Sequence, residues 1–391
     1  MKTINSLLFA CFFAGSLYAQ TTHIVDNNDN GIGDFSSLPA AITAAAAGDV
    51  ILVVPSAKTY DGFTLTSTGK RLTIAGGGAN GAAGLVTKIG AISLTGSINS
   101  TNLDGFVLGG FECESIDINF VDSVKIKGVK TTGFIAASTN YSFRVRSSTG
   151  AEIEFVSTNN AFFSGNTGLK IYHSMFTMST NTNLFEIQTT NQFVISNSVF
   201  LNNTRNQQMI LVDEPSSGMV ANSFFFVNNT IQQLLNFGGA VNVINNIIHH
   251  PSYGNYGITI AGGQSYQHNT VFNNYGVAYI TDNSSEGILT LASDGTPDAF
   301  QNRYINPGID GTTYRLTDNS SSIDSGSGND FDGTTADRGI FGGLDPMPQP
   351  LPNSAVGVSV VPSVTNVRLS LPTMVPGGKV ILNVSGQSKK N

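Results

Sequence analysis

Tryptophan is absent from the 391 residues, and cysteine occurs only twice, as Cys11 and Cys113. The first lack removes the side chain best suited to stacking on sugar rings. The second removes a disulfide framework. Charged residues make up only 12%, against about 25% in ordinary soluble proteins. The formal net charge is −7, so there is no basic footprint and a nucleic-acid partner is excluded. After the first twenty residues no apolar run is long enough for a bilayer, so no transmembrane segment is expected in the mature chain. Leucine is sparse and no LxxLxLxxN phrase occurs, which argues against a horseshoe repeat.

What is present instead is one phrase, repeated. VISNSVFLNN, MVANSFFFVNN, NVINNIIHH and YQHNTVFNN align on Asn197, Asn222, Asn245 and Asn269, in steps of 25, 23 and 24 residues. His173 of HSMF takes the same slot one repeat earlier, and Gly128 and Gly105 are placed there further upstream. A fixed period in the twenties is the mark of a solenoid. The copies are rich in Val, Ile, Phe and Thr, which suit strands, and they lack a helical period. Asn tolerates the left-handed conformation that a tight bend demands. Stacked at one bend, the four Asn amides are expected to form a hydrogen-bonded ladder along the axis. Three short strands per coil account for the repeat, and the expected fold is all-β, a right-handed parallel β-helix.

The opening MKTINSLLFACFFAGSLYAQ carries Lys2, an apolar stretch from Leu7 to Leu17 and the small Ala19. It reads as a secretory signal over 1–19 and implies export to the cell surface or beyond. Cys11 offers a lipoprotein alternative, although FFAG continues the apolar run past it. Cys113 is then the one mature cysteine, expected as a buried filler. SSLPAAITAAAAGD predicts a short helix capped by Ser36 or Ser37, with Pro39 in its first turn and Gly48 at its end. With VILVVP it forms a cap and first coil over 20–60, because the end coil of a solenoid has no neighbour. The solenoid proper is assigned to 61–343.

The phrases GDFSSLPAAITAAAAGDVILVVPSAKTYDG, RLTIAGGGANG and IDSGSGNDFDGTTADRGIFGGLDP resemble those of the pectin-lyase-like superfamily of bacterial right-handed parallel β-helix proteins, over about 23–343. That superfamily spans lyases, hydrolases, esterases and non-catalytic surface proteins, so the resemblance implies the fold and leaves the activity open. It also implies that any substrate groove follows an outer parallel sheet. A Pro-rich linker covers 344–354. A β-strand tail over 355–391 could fold back on the last coil or offer a strand to a partner protein at the surface.

Strands recur about twelve residues before each bend, and alternation turns Phe163, Ile187, Val212, Phe237, Ile260 and Ile280 inward. Outward on that sheet lie Phe162, Ser164, Glu186, Gln188, Leu211, Asp213, Asn236, Thr259 and Tyr279, with Arg144 and Arg146 one coil earlier. Uronate elimination in the superfamily commonly uses an Arg or Lys base, but the outward positions Glu186, Asp213, Asn236 and Tyr279 supply acids and polar groups and no cation. Arg144 and Arg146 sit about two coils, or ~10 Å, from Glu186, a spacing that suits binding an anionic sugar better than proton abstraction. Glu186 and Asp213 are one coil apart and two residues out of register, about 8 Å by strand spacing. This lies within the ~6.5–9.5 Å of an inverting carboxyl pair. Two acids on a solvated strand also serve simply as surface. The polygalacturonase phrases NTD, DD and GHG are absent, as is an esterase pair of Asp residues with Gln and Arg. Arg144, Arg146, Asn236 and Tyr279 are the ligand-binding candidates. Tyr253, Tyr256, Tyr266, Tyr275 and Tyr279 could line a sugar groove or pack on a partner.

Cofactors are not expected. His249, His250 and His268 lack companion ligands at a metal spacing. Asp330, Asp332 and Asp337 look like half of a Ca2+ loop without its closing Glu, and Asx-turns explain them equally well. The sequence therefore favours a non-catalytic structural or binding module engaging a partner protein or polysaccharide. A polysaccharide lyase or glycoside hydrolase is the alternative.

Overall fold

The structure is a computed structural model that describes residues 20–28, 32–79, 86–136, 140–177, 185–202, 210–213, 216–227, 234–237, 240–250, 258–262, 265–273, 278–281, 288–291, 295–311 and 313–348. The predicted signal over 1–19 and the tail over 355–391 lie outside this set. Among the described residues no helix is long and apolar enough to cross a membrane.

One coil shows how the sequence winds. Phe185–Gln188 forms a strand on the first face. Thr189 (φ 45) and Gln192 (φ 55) turn the chain onto Phe193–Ser196, and Asn197 (φ 46) turns it again onto Val199–Asn202. Each of the three strands pairs in parallel with its equivalent in the next coil: Phe185 with Ile210, Phe193 with Gly218 and Val199 with Phe224. Repeated along the chain, this gives an 11-stranded sheet on the first face. A 19-stranded sheet, creased at the Asn197-type bend, supplies the second and third faces. The 11-stranded sheet ends with Ile288–Thr290, antiparallel to Ala278–Thr281. The chain is a parallel β-helix.

Inside, like residues stack on like. Phe200 lies nearly parallel to Phe176 and Phe225, at 5.0 and 4.8 Å between ring centres, and Phe185 meets Phe176 and Phe200 edge-on. Both apolar residues after each bend are buried, for different reasons. Phe200, Phe225 and Ile248 face the axis, while Val199, Phe224 and Ile247 join a second cluster with Ile340 and Met347.

The helix spans Leu38–Ala44 and buries Leu38, Ala41 and Ile42 beside the first strands, Thr22–Val25 and Val50–Val53. Ser37 is its N-cap but makes no side-chain capping bond. The helix stops at the Ala45 C-cap, short of Gly48, and Lys70 Nζ donates to the carbonyls of Thr43 and Ala45. A cation at that end complements the helix dipole.

The bend column differs from the sequence alignment at two places. Positive φ falls on Gly110, Gly128, Phe155, His173, Asn197, Asn222, Asn245, His268 and Gln301. Gly105 (φ 74) instead opens the strand of the second face. Asn269 sits one position past the bend. That next position carries the bonds that climb the axis. The amides of Val156, Ser174 and Ser198 donate to the hydroxyls of Ser174, Ser198 and Ser223, which lie 18, 24 and 25 residues on. The amides of Ser223, Asn246 and Asn269 donate to the side-chain oxygens of Asn246, Asn269 and Asn302, which lie 23, 23 and 33 residues on. A side-chain link runs from Asn246 to Asn269 at 3.1 Å and from Asn269 to Asn302 at 3.0 Å.

Asn197 and Asn245 are bonded elsewhere. After the last coil the chain doubles back across the bends as a strap. Asn245 exchanges bonds with Ser327, and Asn197 Nδ2 donates to the carbonyls of Ile340 and Gly342. His268 Nδ1 lies 3.3 Å from the carbonyl oxygen of Ser325, and His173 Nε2 lies 2.9 Å from that of Asp345. Gly343 (φ 86) is required where the strap crosses Asn222, because a Cβ there would lie 2.6 Å from the Asn222 amide nitrogen.

Candidate functional site

Among the described residues the first face gathers the predicted catalytic and ligand-binding side chains Arg144, Arg146, Glu186 and Asp213. Strand pairing sets one outward row as Ser93, Asp117, Arg144, Phe162, Glu186, Leu211 and Asn236. A second row, two residues later, runs Thr95, Asn119, Arg146, Ser164 and Gln188, with Asp213 just past the end of the next strand. Arg144 and Glu186 are thus two strands apart, as the sequence spacing implies. For Leu211, Asn236, Thr259 and Tyr279 the backbone position is described and the side chain lies outside the described set.

The cations are already paired. Arg144 grips Asp117 through Nε at 2.9 Å and a terminal nitrogen at 2.6 Å. Arg146 reaches the same carboxylate at 3.4 Å, while its buried Nε has no hydrogen-bond partner. The hydrogen bonds to Asp117 raise the Arg144 pKa. That is the wrong direction for a base that must shed its proton. Asp117 was not singled out in the sequence, although its register opposite Arg144 follows once the coils are aligned.

The acids differ from each other. Glu186 is only 8% exposed, although it lies on the outward row. Tyr141 donates to one of its oxygens, and Gln188 donates to the other at 2.6 Å. Tyr141 comes from the segment preceding Phe143–Arg146, and its ring packs on Phe162 with centres 5.1 Å apart. Burial and the bond to Glu186 push the Tyr141 pKa up, so it stays a neutral donor. Asp213 follows its strand with its amide bonded to Ile187. Burial and then the charge of Glu186 raise its pKa, against a lowering hydrogen bond from Gln188.

No protein-family profile and no curated protein matches the chain. Three solved structures resemble it in shape. Pectate lyase Pel9A is 14% identical with a TM-score of 0.40, over 82% of this chain and 96% of that one. Pectin methylesterase in complex with a hexasaccharide is 13% identical with a TM-score of 0.28, over 78% and 95%. ORF18 of Geobacillus virus E2 is 10% identical with a TM-score of 0.29, over 64% and 59%. The chemistry here rests on this chain's own residues.

The remaining candidates separate in space. Among the described residues no group of three or more His, Cys, Asp or Glu side chains could hold a metal ion. Asp330 accepts from the amides of Asp337 and Gly343 and Asp337 from the amide of Asp324, tying separated parts of the terminal segment together, while Asp332 accepts from Thr334 in a local turn. His249 lies between Phe226 and Phe272 on the third face, while His268 occupies a bend. Tyr266 is buried in the core. Cys113 is free and buried, and burial pushes its thiol pKa well up.

Proposed function

We propose that this chain is an exported parallel β-helix that binds a polysaccharide along its first face without turning it over. The observation carrying this reading is the prior commitment of the charged groups. Arg144 is forked onto Asp117, and both oxygens of Glu186 are taken by Tyr141 and Gln188. What remains for a ligand is the Tyr141–Phe162 ring pair, flanked by Arg146, Ser164 and Gln188. Ring faces with polar neighbours suit a sugar chain laid across parallel strands. Affinity electrophoresis on a panel of acidic and neutral glycans tests this reading. Retardation that disappears in Phe162→Ala, with no release of reducing or unsaturated ends, is the expected result. Absence of retardation on every glycan would overturn it.

A second reading, an inverting glycoside hydrolase, is favoured by one observation: Asp213 is pushed toward its protonated form beside an acid one strand away. Two carboxyls in unlike surroundings are how acid and base roles are divided. Reducing-end release abolished by both Glu186→Ala and Asp213→Ala would establish turnover. For residues 355–391 we infer attachment to a surface protein partner. The truncation that tests it belongs after Pro348, because Asp345 and Met347 are docked on the solenoid.

A further inference from the structure

The strap is held to the bend column by side-chain nitrogens that meet its carbonyl oxygens. In the middle coils those nitrogens belong to Asn197 and Asn245, which do not titrate. Where the strap ends, at Asp345, the column residue is His173. We propose that His173 is a proton-operated latch on the last stretch of the strap, closed when the imidazole is charged and loosened when it is neutral.

The imidazole is buried against two acidic elements. Nε2 lies 2.9 Å from the Asp345 carbonyl oxygen and 3.7 Å from the Asp345 carboxylate. Nδ1 is 3.9 Å from Glu154 and has no hydrogen-bond partner, although it is sealed from solvent. Lys127 closes the group from the preceding coil, 2.9 Å from Glu154 and over the Phe155 ring. Phe155 stacks on the imidazole at 5.1 Å, and Tyr172 lies at 6.5 Å. His173 thus faces two carboxylates and one ammonium. A neutral ring has a single N–H, so it either gives up the strap carbonyl or leaves Nδ1 as a buried acceptor without a donor. The charged ring has two donors directed at Asp345 and Glu154.

The titration runs in the same direction. Burial alone pulls the His173 pKa down, but the nearby Glu154 carboxylate, the Asp345 carbonyl and the Asp345 carboxylate outweigh it, and the net shift is upward. Glu154 is lowered, first by His173, and stays ionised through the window. A base whose folded pKa is raised contributes stability that is complete below its unfolded pKa of about 6.5. That contribution is lost as pH rises through the folded value. Docking of 342–347 is therefore tight in mild acid and weakens toward alkaline pH, by up to about tenfold per pH unit between the two pKa values.

Hydrogen exchange of the full chain from about pH 5.5 to 8.5, corrected for intrinsic exchange, reads the latch at Met347, whose amide is bonded to Ile340. His173→Asn keeps a residue that tolerates the bend (φ 48) and supplies a non-titrating amide. The expected result is that protection over 342–347 falls with pH in the wild type and is flat in His173→Asn. Equal slopes in the two proteins, or a flat wild type, would overturn the proposal. An NMR titration of the wild type gives an independent reading: His173 must titrate above about 6.5, and a midpoint at or below that value also refutes the latch. Glu154→Gln must lower that midpoint.

Discussion

Arg338 offers the sharpest test of how the strap is fastened. It is only 1% exposed, yet no carboxylate pairs with it among the described residues. Its guanidinium donates to the carbonyls of Ser325 (3.0 and 2.8 Å), Asn269 (2.8 Å) and Gln301 (2.9 Å), and to the Thr270 hydroxyl at 3.2 Å. Burial lowers its pKa to about 10, so it remains a cation at neutral pH. Arg338→Met keeps most of the volume and removes the donors. The Asn269 carbonyl retains the amide of Arg303, but Ser325 keeps only the 3.3 Å contact with His268, and Gln301 loses its donor. Two under-bonded buried carbonyls cost about 1–3 kcal/mol each, and relief of the buried charge gives part of that back. The net loss is about 3 kcal/mol. It should concentrate in the last coils and the strap, because solenoid stability is local. Urea unfolding followed by circular dichroism, with hydrogen exchange over 320–348, measures it. Replacing both members of a buried ion pair by apolar groups is often neutral, but main-chain carbonyls cannot be replaced. A Met variant within about 1 kcal/mol of wild type would therefore refute the view that these bonds pin the strap.

Three further outcomes follow from the same packing. Asn246→Ala strips the partners of the Ser223 amide and the Val220 carbonyl, at about 2–3 kcal/mol. Asn246→Ser should cost less, since Ser already fills this position at 174, 198 and 223, and the order Ala worse than Ser in urea midpoint is the check. Phe200→Ala opens the middle of the phenylalanine stack and should cost about 3–5 kcal/mol, visible as lost protection in the flanking coils before the cap region changes. Asp117→Asn unpairs Arg144 and Arg146, so affinity for an acidic glycan should rise several-fold with a steeper salt dependence. An unchanged salt slope would remove these arginines from the binding face.

The period and the strand faces were legible because stacking forces equivalent residues into register, so a bend or an inward position must recur. Phe163, Ile187 and Val212 are all inward, as alternation requires. Glu186 was legible as an outward residue but not as a buried one, because its cover comes from Tyr141, a residue 45 positions earlier outside the repeated phrase. The ladder was misplaced by one residue for a similar reason. Asn at 197, 222 and 245 is the most conspicuous recurring letter, while the axial bonds pass through the less conspicuous Ser174, Ser198 and Ser223 beside it. Gly105 fitted the slot numerically because each coil has two bends that need positive φ, and the spacing alone cannot tell them apart.

The strap explains what period alone could not: why the bend residue changes identity along the axis. Any bend here needs a residue that accepts positive φ, and Gly110, Gly128 and Phe155 meet that need in the early coils. From His173 to His268 the strap passes overhead, and there the bend must also hold a main-chain segment whose carbonyls would otherwise be buried without donors. Gly and Phe have no side-chain N–H to give. Asn and His do, and Asn and His are found at 173, 197, 222, 245 and 268. The recurring asparagines thus mark the path of the returning chain as well as the turns of the coil. A strap detached by truncation before Asp324 should leave Asn197 and Asn245 with unspent amides in an otherwise intact winding. Substituting both by Gly should then cost far less in the truncated protein than in the full chain, and equal costs in the two backgrounds would show that the asparagines serve the bend alone.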